Sequence, residues 1–345
     1  RVMSSYNLPG EYNWTVQVGG SGTVQGMGIA VDGASGAIVT GYFSGDVSFG
    51  SASLASRSNY DAFVMHVTAS GTIDWAVQAG GTLKDQGLGI AGDDAGGALV
   101  TGYFSDRASF GSTSLTSRGD YDVFVMHVAA SGAIDWSVQA GGVARDQGSG
   151  IAHDGAGGAF VTGFFSSDAS FGSVRLTSRG DGEYDIFVMH VTKSGAIDWA
   201  VQAGGTAIDE GYGIAYDGTG GALVTGTFGG DASFGSISLT SRGTFDAFVM
   251  HVTASGAIDW AVQVGGTAEV KGNGIARHGA GGALVTGYFS GESVFGMKTL
   301  KSRDGANMFV MHVTASGAID WAVQAGGMSI VRGVGIAHDG DVPER

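Results

Sequence analysis

The stretch Ile134-Asp-Trp-Ser-Val-Gln-Ala-Gly-Gly142 determines how the rest of the sequence is interpreted, because close copies of it recur along the whole chain. Its tryptophan returns at spacings of 61, 61, 63, 61 and 61 residues, at Trp14, Trp75, Trp136, Trp199, Trp260 and Trp321. A fixed period of this length indicates a repeat architecture, in which each repeat is one structural unit. The longer interval contains two extra residues in the polar segment 179–185, which we interpret as a loop.

Each repeat contains four short runs of β-branched and aromatic residues, separated by Gly, Ser and Asp. In the second repeat these runs are 89–91, 98–104, 124–128 and the Trp136 segment. Such runs, bounded by turn residues, predict four antiparallel strands per repeat. We interpret the Ser-Phe-Gly-Ser segment, for example 109–112, as the connection between the second and third strands.

Repeated four-stranded units predict an all-β fold, a β-propeller of four-stranded antiparallel blades within a single domain, 1–345. A β-helix would need shorter rungs, and a β-sandwich would not repeat its sequence. The predicted blades are approximately 21–81, 82–142, 143–205, 206–266 and 267–327.

The two ends of the chain each carry one further strand of the repeat. Residues 12–20 match the fourth strand and residues 328–339 match the first strand, so we predict five complete blades and an incomplete sixth, closing blade. The alternatives are a closed five-bladed ring with two spare strands, or an open arc completed by another copy or a missing segment. Exposed strand edges would then favour pairing with a neighbour.

Composition restricts the classes of function. The formal net charge of −15 argues against nucleic acids and anionic membranes as partners, since both require clustered Lys and Arg. The absence of cysteine excludes thiol catalysis, disulfides and cysteine-based zinc sites. No apolar run approaches the roughly 18 residues of a membrane helix, so membrane insertion is not expected. No signal peptide is visible at Arg1, from which we expect a mature or trimmed product.

The repeat resembles a known family. The pattern G-I-A-x-D-x-x-G-G-A-x-V-T-G-Y-F, then S-F-G-S, then D-x-F-V, closing on W-A-V-Q-A-G-G, is similar to the bacterial and algal beta-propeller repeats (SBBP repeats), loosely related to NHL repeats. The resemblance extends from about Tyr12 to Asp339. It implies a propeller fold, usually in secreted or surface-exposed proteins, with no general catalytic activity. This sequence has His where the family usually carries Lys in the third strand.

That histidine occupies the same position in every repeat, at His66, His127, His190, His251 and His312. Equivalent positions on neighbouring sheets should be on the order of 10 Å or more apart. A zinc ion needs ligands at roughly 2.1 Å, so no shared metal site is expected. We expect half-buried packing between blades.

Repeated carboxylates and arginines are interpreted in the same structural way, as loop caps or Arg–Asp pairs that every blade needs. They are Asp61, Asp122, Asp185 and Asp246 with Asn307; Asp74, Asp135, Asp198, Asp259 and Asp320; and Arg57, Arg118, Arg179, Arg242 and Arg303. The irregular His153, His278 and His338 are interpreted as variable positions beside a turn, equivalent to Val31.

The sequence contains no asymmetric constellation of acid, base and nucleophile, and no calcium or phosphate loop. We therefore expect no catalytic, cofactor or metal residues. A binding surface should use loops that differ between blades, and the connection from the fourth strand to the next first strand varies most. The predicted binding rim consists of Lys84, Asp85, Arg145, Asp146, Asp209, Glu210, Glu269, Lys271 and Arg332.

The function favoured by these observations is a non-catalytic structural or protein-interaction scaffold, secreted or surface-exposed. It would be part of a larger assembly, through a protein partner or through self-association by terminal strands or variable loops. The first alternative is a lectin-like module in which aromatic side chains stack on sugars. The second is a propeller glycosidase or lyase with one asymmetric polar cluster.

Overall fold

The fold is described from a computed structural model, which covers residues 14–57, 59–279, 281–327 and 329–337. This part of the chain is all β, with 65% of residues in strands and no helix. The strands form several antiparallel sheets. The all-β prediction is confirmed.

The strands follow the repeat. The first repeat and the segment before it contain β1 (Gly19–Gly20), β2 (Val24–Val31), β3 (Ala37–Phe43), β4 (Asp46–Phe49), β5 (Ala52–Ala55), β6 (Asp61–Val67) and β7 (Ile73–Gly81). The second contains β8 (Gln86–Gly92), β9 (Ala98–Phe104), β10 (Arg107–Phe110), β11 (Thr113–Thr116), β12 (Asp122–Val128) and β13 (Ile134–Gly142). The third contains β14 (Asp146–His153), β15 (Ala159–Ser166), β16 (Asp168–Phe171), β17 (Val174–Thr177), β18 (Tyr184–Val191) and β19 (Ile197–Gly205). The fourth contains β20 (Asp209–Tyr216), β21 (Ala222–Phe228), β22 (Asp231–Phe234), β23 (Ile237–Thr240), β24 (Asp246–Val252) and β25 (Ile258–Gly266). The fifth contains β26 (Val270–His278), β27 (Gly282–Phe295), β28 (Lys298–Val313) and β29 (Ile319–Ala325).

Four strands of each repeat pair in chain order as an antiparallel meander. In the second repeat β8 pairs with β9, β9 with β12, and β12 with β13. We call each such set a blade, numbered 1 to 5 along the chain, with its strands named first to fourth. The prediction of four antiparallel strands is confirmed for this meander, but repeats 1 to 4 each contain two further short strands. Runs of β-branched and aromatic residues fit the pleated surface of such a sheet.

The Ser-Phe-Gly-Ser segment is more than the connection that the sequence suggested. In the second repeat it forms the hairpin β10–β11, and β10 pairs with β7 at Ala79, Gly80 and Gly81 of the preceding blade. The same hairpin joins blade 2 to β16 and blade 3 to β22. Each repeat therefore extends the sheet of the repeat before it, so neighbouring blades are joined by backbone hydrogen bonds as well as by side chains.

The core lies between consecutive blades. Alternation along each strand sends one set of side chains to the preceding blade and the other set to the following blade. Between blades 1 and 2, Val64 of β6 packs with Phe104, Phe110 and Phe124, all of them almost fully buried. Equivalent clusters fill the interfaces of blades 2 with 3, 3 with 4 and 4 with 5. Each blade is stabilised by its neighbours, as in other repeat proteins.

The first strands of successive blades approach closely because each contributes a glycine. A Cβ on Gly28 would lie 2.9 Å from the Cγ2 of Ile90, and one on Gly213 would lie 3.2 Å from that of Ile275. Ile151, Ile214 and Ile275 are at most 8% exposed, since each packs against a first strand next to it. The Gly-Ile-Ala pattern therefore specifies backbone contact between blades.

The sheets do not close into a ring, so the alternative of a closed five-bladed ring is wrong. At the front end, segment 14–20 lies against blade 1, where a fourth strand of a preceding blade would lie, and β1 pairs with β4. At the rear end, segment 331–337 lies beside β26, with Gly335 next to Gly274. Among the described residues these two segments do not pair with each other; residues 12, 13, 328, 338 and 339 of the predicted closing strands lie outside the described part.

Candidate functional site

The predicted rim lies at one end of the blades, where first and third strands begin and second and fourth strands end. We call it the rim end, and the opposite end the turn end. Lys84 and Arg145 are exposed, and the backbone of Lys84 bridges to that of Tyr60. The Arg145 Nε is 3.2 Å from the Asp120 carboxylate, and its guanidinium lies 5.8 Å from the ring centre of Tyr121.

Lys271, Glu210 and Arg332 of the predicted rim also lie close to aromatic rings. The Lys271 ammonium is 3.4 Å from Glu269 and 5.8 Å from the ring centre of Tyr212. The Tyr212 hydroxyl donates a hydrogen bond to Glu210. Arg332 lies 4.8 Å from the ring centre of Tyr288. Cations within about 6 Å of a ring centre are attracted to its face.

The aromatic residues of the rim were missed by the sequence analysis. A residue near the end of the second strand faces the residue that precedes the third-strand aspartate. The pairs are Tyr42–Tyr60, Tyr103–Tyr121 and Phe164–Tyr184, with ring centres 5.1, 4.6 and 4.5 Å apart. In blade 4 the pair is replaced by Thr227 and Phe245, and in blade 5 by Tyr288 and Ala306. The signal that could have found them is this blade-to-blade variation at two fixed positions of the repeat.

Three acidic residues assigned to the rim lie inside the protein. Asp85, Asp146 and Asp209 are fully buried and accept hydrogen bonds from the backbone. The Asp146 carboxylate, for example, accepts from Gly142 N at 2.6 Å and from Ser166 N at 3.3 Å. They therefore join two adjacent repeats beneath the rim and do not form part of its surface.

Each of these aspartates shares its site with the aspartate that begins the third strand. Gly141, with φ 144°, separates them: a Cβ there would lie 2.7 Å from both the Asp122 Cγ and the Asp146 Oδ2. Burial, and then repulsion from Asp122, raises the pKa of Asp146 to about 7. The pKa values of Asp85 and Asp209 are raised to about 7, chiefly by burial. At the last two sites valine replaces the second aspartate: Val270 of blade 5 follows Asp246 of blade 4, and Val331 of segment 331–337 follows Asn307 of blade 5.

The Arg–Asp pairs predicted from the sequence are confirmed in the first and third repeats. Arg57 and Arg179 lie 3.4 Å from Asp61 and Asp185. The same guanidinium groups donate to the carbonyl oxygens of Gly80 and Gly204 at 2.6 Å. The arginine thus fixes the last residues of the fourth strand, to which the next hairpin pairs.

The repeated histidines lie at the turn end, each between two carboxylates. In four blades Nε2 is 2.9 Å from the aspartate that follows the first strand, and Nδ1 is within 3.0 Å of the aspartate that precedes the tryptophan. The histidine ring also stacks on that tryptophan, at 5.6 to 5.9 Å between ring centres. The four sets are Asp32–His66–Asp74, Asp93–His127–Asp135, Asp154–His190–Asp198 and Asp217–His251–Asp259.

These hydrogen bonds favour a protonated histidine beside an ionised aspartate. Burial lowers the pKa of His66, but hydrogen bonds to Asp32 and Asp74 outweigh it and leave the pKa above its ordinary value. Burial raises the pKa of Asp217, but the hydrogen bond to His251 and further ones to Thr219 and Gly221 bring it down to about 2. The histidines therefore connect three strands of their own blade. They are partly buried, as expected, but their hydrogen bonds and their stacking on tryptophan are made within one blade and not between blades as predicted.

His278 does not occupy the position in the repeat that the sequence analysis assigned to it. It occupies the position of Asp32, Asp93, Asp154 and Asp217, while Arg277 is the residue equivalent to Val31. In blade 5 the rings of His278 and His312 lie 4.8 Å apart, and His312 retains Asp320 at 2.7 Å. His153 does occupy the variable position and lies 3.3 Å from Asp94 of blade 2. His338 lies outside the described residues.

One cleft at the turn end, with a volume of about 250 Å³, adjoins a histidine site. Its lining is Asp93, Ala95, His127, Asp135, Trp136, Gly157 and Lys193. The cleft offers groups that could exchange a proton, but none of its lining residues is a Ser, Thr or Cys nucleophile. Within the described ranges, no group of three or more His, Asp or Glu side chains is arranged to hold a metal ion.

Comparison with models of known protein families and with curated proteins gives no match for this chain. The described residues include no helix that is both long and apolar enough to cross a membrane.

Proposed function

We propose that the chain is a non-catalytic interaction scaffold, whose rim end binds a protein partner. We further propose that its row of blades belongs to the propeller class and that it acts outside the cell or at the cell surface. The resemblance of the repeat to SBBP repeats supports both of these additional proposals, and the acidic, cysteine-free composition is compatible with them.

The proposal rests on where the repeated side chains and the side chains that vary between blades lie in the molecule. Many of the repeated polar groups are engaged within the protein, since His66, Arg57 and Asp146, for example, bond to carboxylates or to the backbone. The rim end carries groups that differ between blades, namely half-buried tyrosines with cations beside them. Tyr, Trp and Arg are enriched at protein interfaces, and an asymmetric partner needs an asymmetric surface.

Charge reversal at the rim tests this proposal. The double variant Arg145→Glu, Arg332→Glu changes two exposed cations of the rim, and Lys193→Glu changes an exposed cation at the turn end as the matched control. The immobilised protein and both variants are used to capture proteins from the source organism, followed by quantitative mass spectrometry. We expect a partner that the control retains and that the rim variant loses at least about tenfold, or roughly 1.4 kcal/mol. A partner retained equally by both variants would contradict the assignment of the rim.

A lectin-like role is the second candidate, and the Tyr42–Tyr60 and Tyr103–Tyr121 pairs favour it. Their half-exposed rings could stack on a sugar, with Lys84 and Arg145 close to the same end of the blades. A glycan array distinguishes the two candidates, because a lectin should bind a defined glycan and lose it in Tyr103→Ala. Absence of any bound glycan would leave the protein-binding scaffold as the proposal.

A further inference from the structure

The two ends of the blade row expose apolar faces that a neighbouring blade covers at the internal interfaces. In blade 4 the face toward the following blade includes Val249, which is 0% exposed, and the partly buried Trp260 and Val262. The corresponding face of blade 5 leaves Trp321 42% and Val323 51% exposed, and Val310 is only partly covered. This is the rear face.

The face of blade 1 that points away from blade 2, which we call the front face, also has no complete blade covering it. Ile29 is 71% exposed, whereas the equivalent Ile90 is partly buried and Ile151, Ile214 and Ile275 are at most 8% exposed. Val31, on the same side of the strand as Ile29, is 76% exposed. The outer part of the front face is covered by Trp14, Val16 and Val18. One strand thus occupies the place that a whole preceding blade occupies elsewhere.

The internal interfaces show what fits these faces. Four times in the chain, the face equivalent to the rear face packs on one equivalent to the front face. Each of these contacts also has backbone pairing from the next hairpin to the end of the fourth strand, for example Gly265 with Val294. In blade 5 no hairpin pairs with Gly326 or Gly327 in the described part of the chain.

Short segments of this chain partly cover both the front face and the rear face. Segment 14–20 has the sequence WTVQVGG, and the fourth strand of blade 5 continues as WAVQAGG at 321–327. Trp14 donates its indole N–H to the Ala69 carbonyl at 3.1 Å, as Trp75 does to Ala130 at 3.0 Å. At the rear, segment 331–337 carries the Gly-Ile-Ala of a first strand and takes that strand's place beside β26.

We propose that two copies of this chain associate head to tail, with blade 5 of one copy replacing segment 14–20 on blade 1 of the next. In the complex, β2 of the second copy takes the place of segment 331–337 on the first. The exchange replaces single strands by a complete four-stranded face and buries Trp321, Val323, Ile29 and Val31. Such a heterologous interface gives rings or open filaments, according to the rotation between copies.

Weakening the front segment should promote association. Trp14→Ser removes the indole that fixes segment 14–20, and Gln17→Ser, on the exposed side of the same segment, is the control. Analytical ultracentrifugation should show a shift of mass from one chain toward two or more for Trp14→Ser compared with the control. If the protein and Trp14→Ser both remain monomeric over a wide concentration range, the proposal is overturned.

Two blocked variants test the polarity of the contact. Val323→Lys places a charge on the rear face and Ile29→Lys on the front face, at positions that are already exposed, and circular dichroism checks that both fold. Each variant is made in the Trp14→Ser background and is first measured alone. With Val323→Lys every rear face is blocked and with Ile29→Lys every front face is blocked, so each should be monomeric. Their mixture should form dimers of one variant with the other.

The other results contradict the proposal or belong to a different surface. Dimers of Ile29→Lys alone would indicate rear-to-rear contact and overturn the head-to-tail arrangement. Oligomers that persist in Val323→Lys would show that the rear face is not used. Arg145→Glu alone, which lies outside both exchanged segments, should associate normally, so failure of the rim proposal and failure of this one are separate outcomes.

Discussion

Buried carboxylate pairs are the residue-scale feature with the clearest energetic consequence. Asp85, Asp146 and Asp209 are fully buried beside a second aspartate, and the two carboxylates of each pair share one nearby arginine: Arg57, Arg118 or Arg179. Two buried like charges disfavour simultaneous ionisation, which raises the pKa of one member of the pair. The last two sites of this kind avoid the cost, because valine occupies the position of the second aspartate, at Val270 and Val331.

These pairs predict that stability falls as pH rises. An unfolded aspartate ionises near pH 3.9, while these three do so at about pH 7, so the folded state holds extra protons between those values. The free energy of unfolding should fall from about pH 4 to about pH 7, by at least about 1 kcal/mol per pair. Urea unfolding across that range measures it.

Asp209→Asn should reduce this slope, because the amide does not ionise, while the exposed Asp181→Asn should leave it unchanged. His66 affects stability over a different pH range. Its raised pKa stabilises the fold below about pH 6.5, and the effect is lost at higher pH. Measurements between pH 4 and 6 therefore isolate the carboxylates. An unchanged slope in Asp209→Asn would refute the assignment.

At the scale of elements, the hairpin is the part that joins one repeat to the next. β10 adds to the edge of β7 and brings Phe110 into the interface of blades 1 and 2, where its ring centre lies 5.6 Å from that of Phe104 and 5.0 Å from that of Phe124. The short Ser-Phe-Gly-Ser sequence thus contributes both the backbone pairing and a central core residue.

Phe110→Ala should reduce the free energy of unfolding by about 3–5 kcal/mol, since it removes a ring that is 1% exposed and leaves a cavity. Ser114→Ala, on the exposed side of the same hairpin, should change it by less than about 0.5 kcal/mol. Urea denaturation of both variants provides the comparison. A similar, small loss in both would mean that the hairpin does not hold the blades together.

The hairpin also shows the limit of the repeat pattern as a predictor. Hydrophobic runs and turn residues were sufficient to place four strands, because those strands are long and regular. The four-residue strands β10 and β11 are shorter than the mean strand, and beyond their own hairpin β10 pairs with β7 of the preceding repeat. Pairing between repeats has no local signature in the sequence, so the segment was interpreted as a connection.

For the whole molecule, stability should be distributed unevenly along the chain. Contacts are made between consecutive blades, so an interior blade has two partners and an end blade has fewer. Val125 and Met126 of blade 2 point to opposite faces and are both 0% exposed, whereas Trp321 and Val323 of blade 5 are exposed.

Hydrogen exchange should therefore be slowest in the third strands of blades 2 to 4 and faster in β29, which has only one neighbouring strand. Exchange followed by peptide mass spectrometry resolves the repeats, because their strands can be compared at equivalent positions. Equal protection in β13 and β29 would contradict this view of the fold as a row of blades that support one another.

The sequence by itself determined the period and the four strands of each blade, because a strict repeat imposes the same local chemistry on each copy. It also predicted the Arg–Asp pairs that are found in the first and third repeats. The tertiary structure alone decided which residues meet across strands and repeats: the turn aspartates with the histidines and the tyrosine pairs of the rim within a blade, and the carboxylate pairs and the pairing of hairpins with preceding blades between repeats. These contacts join positions distant in sequence, and their partners follow from sheet register and blade packing. The open ends were decided in the same way, since ring closure depends on the summed geometry of all five blades.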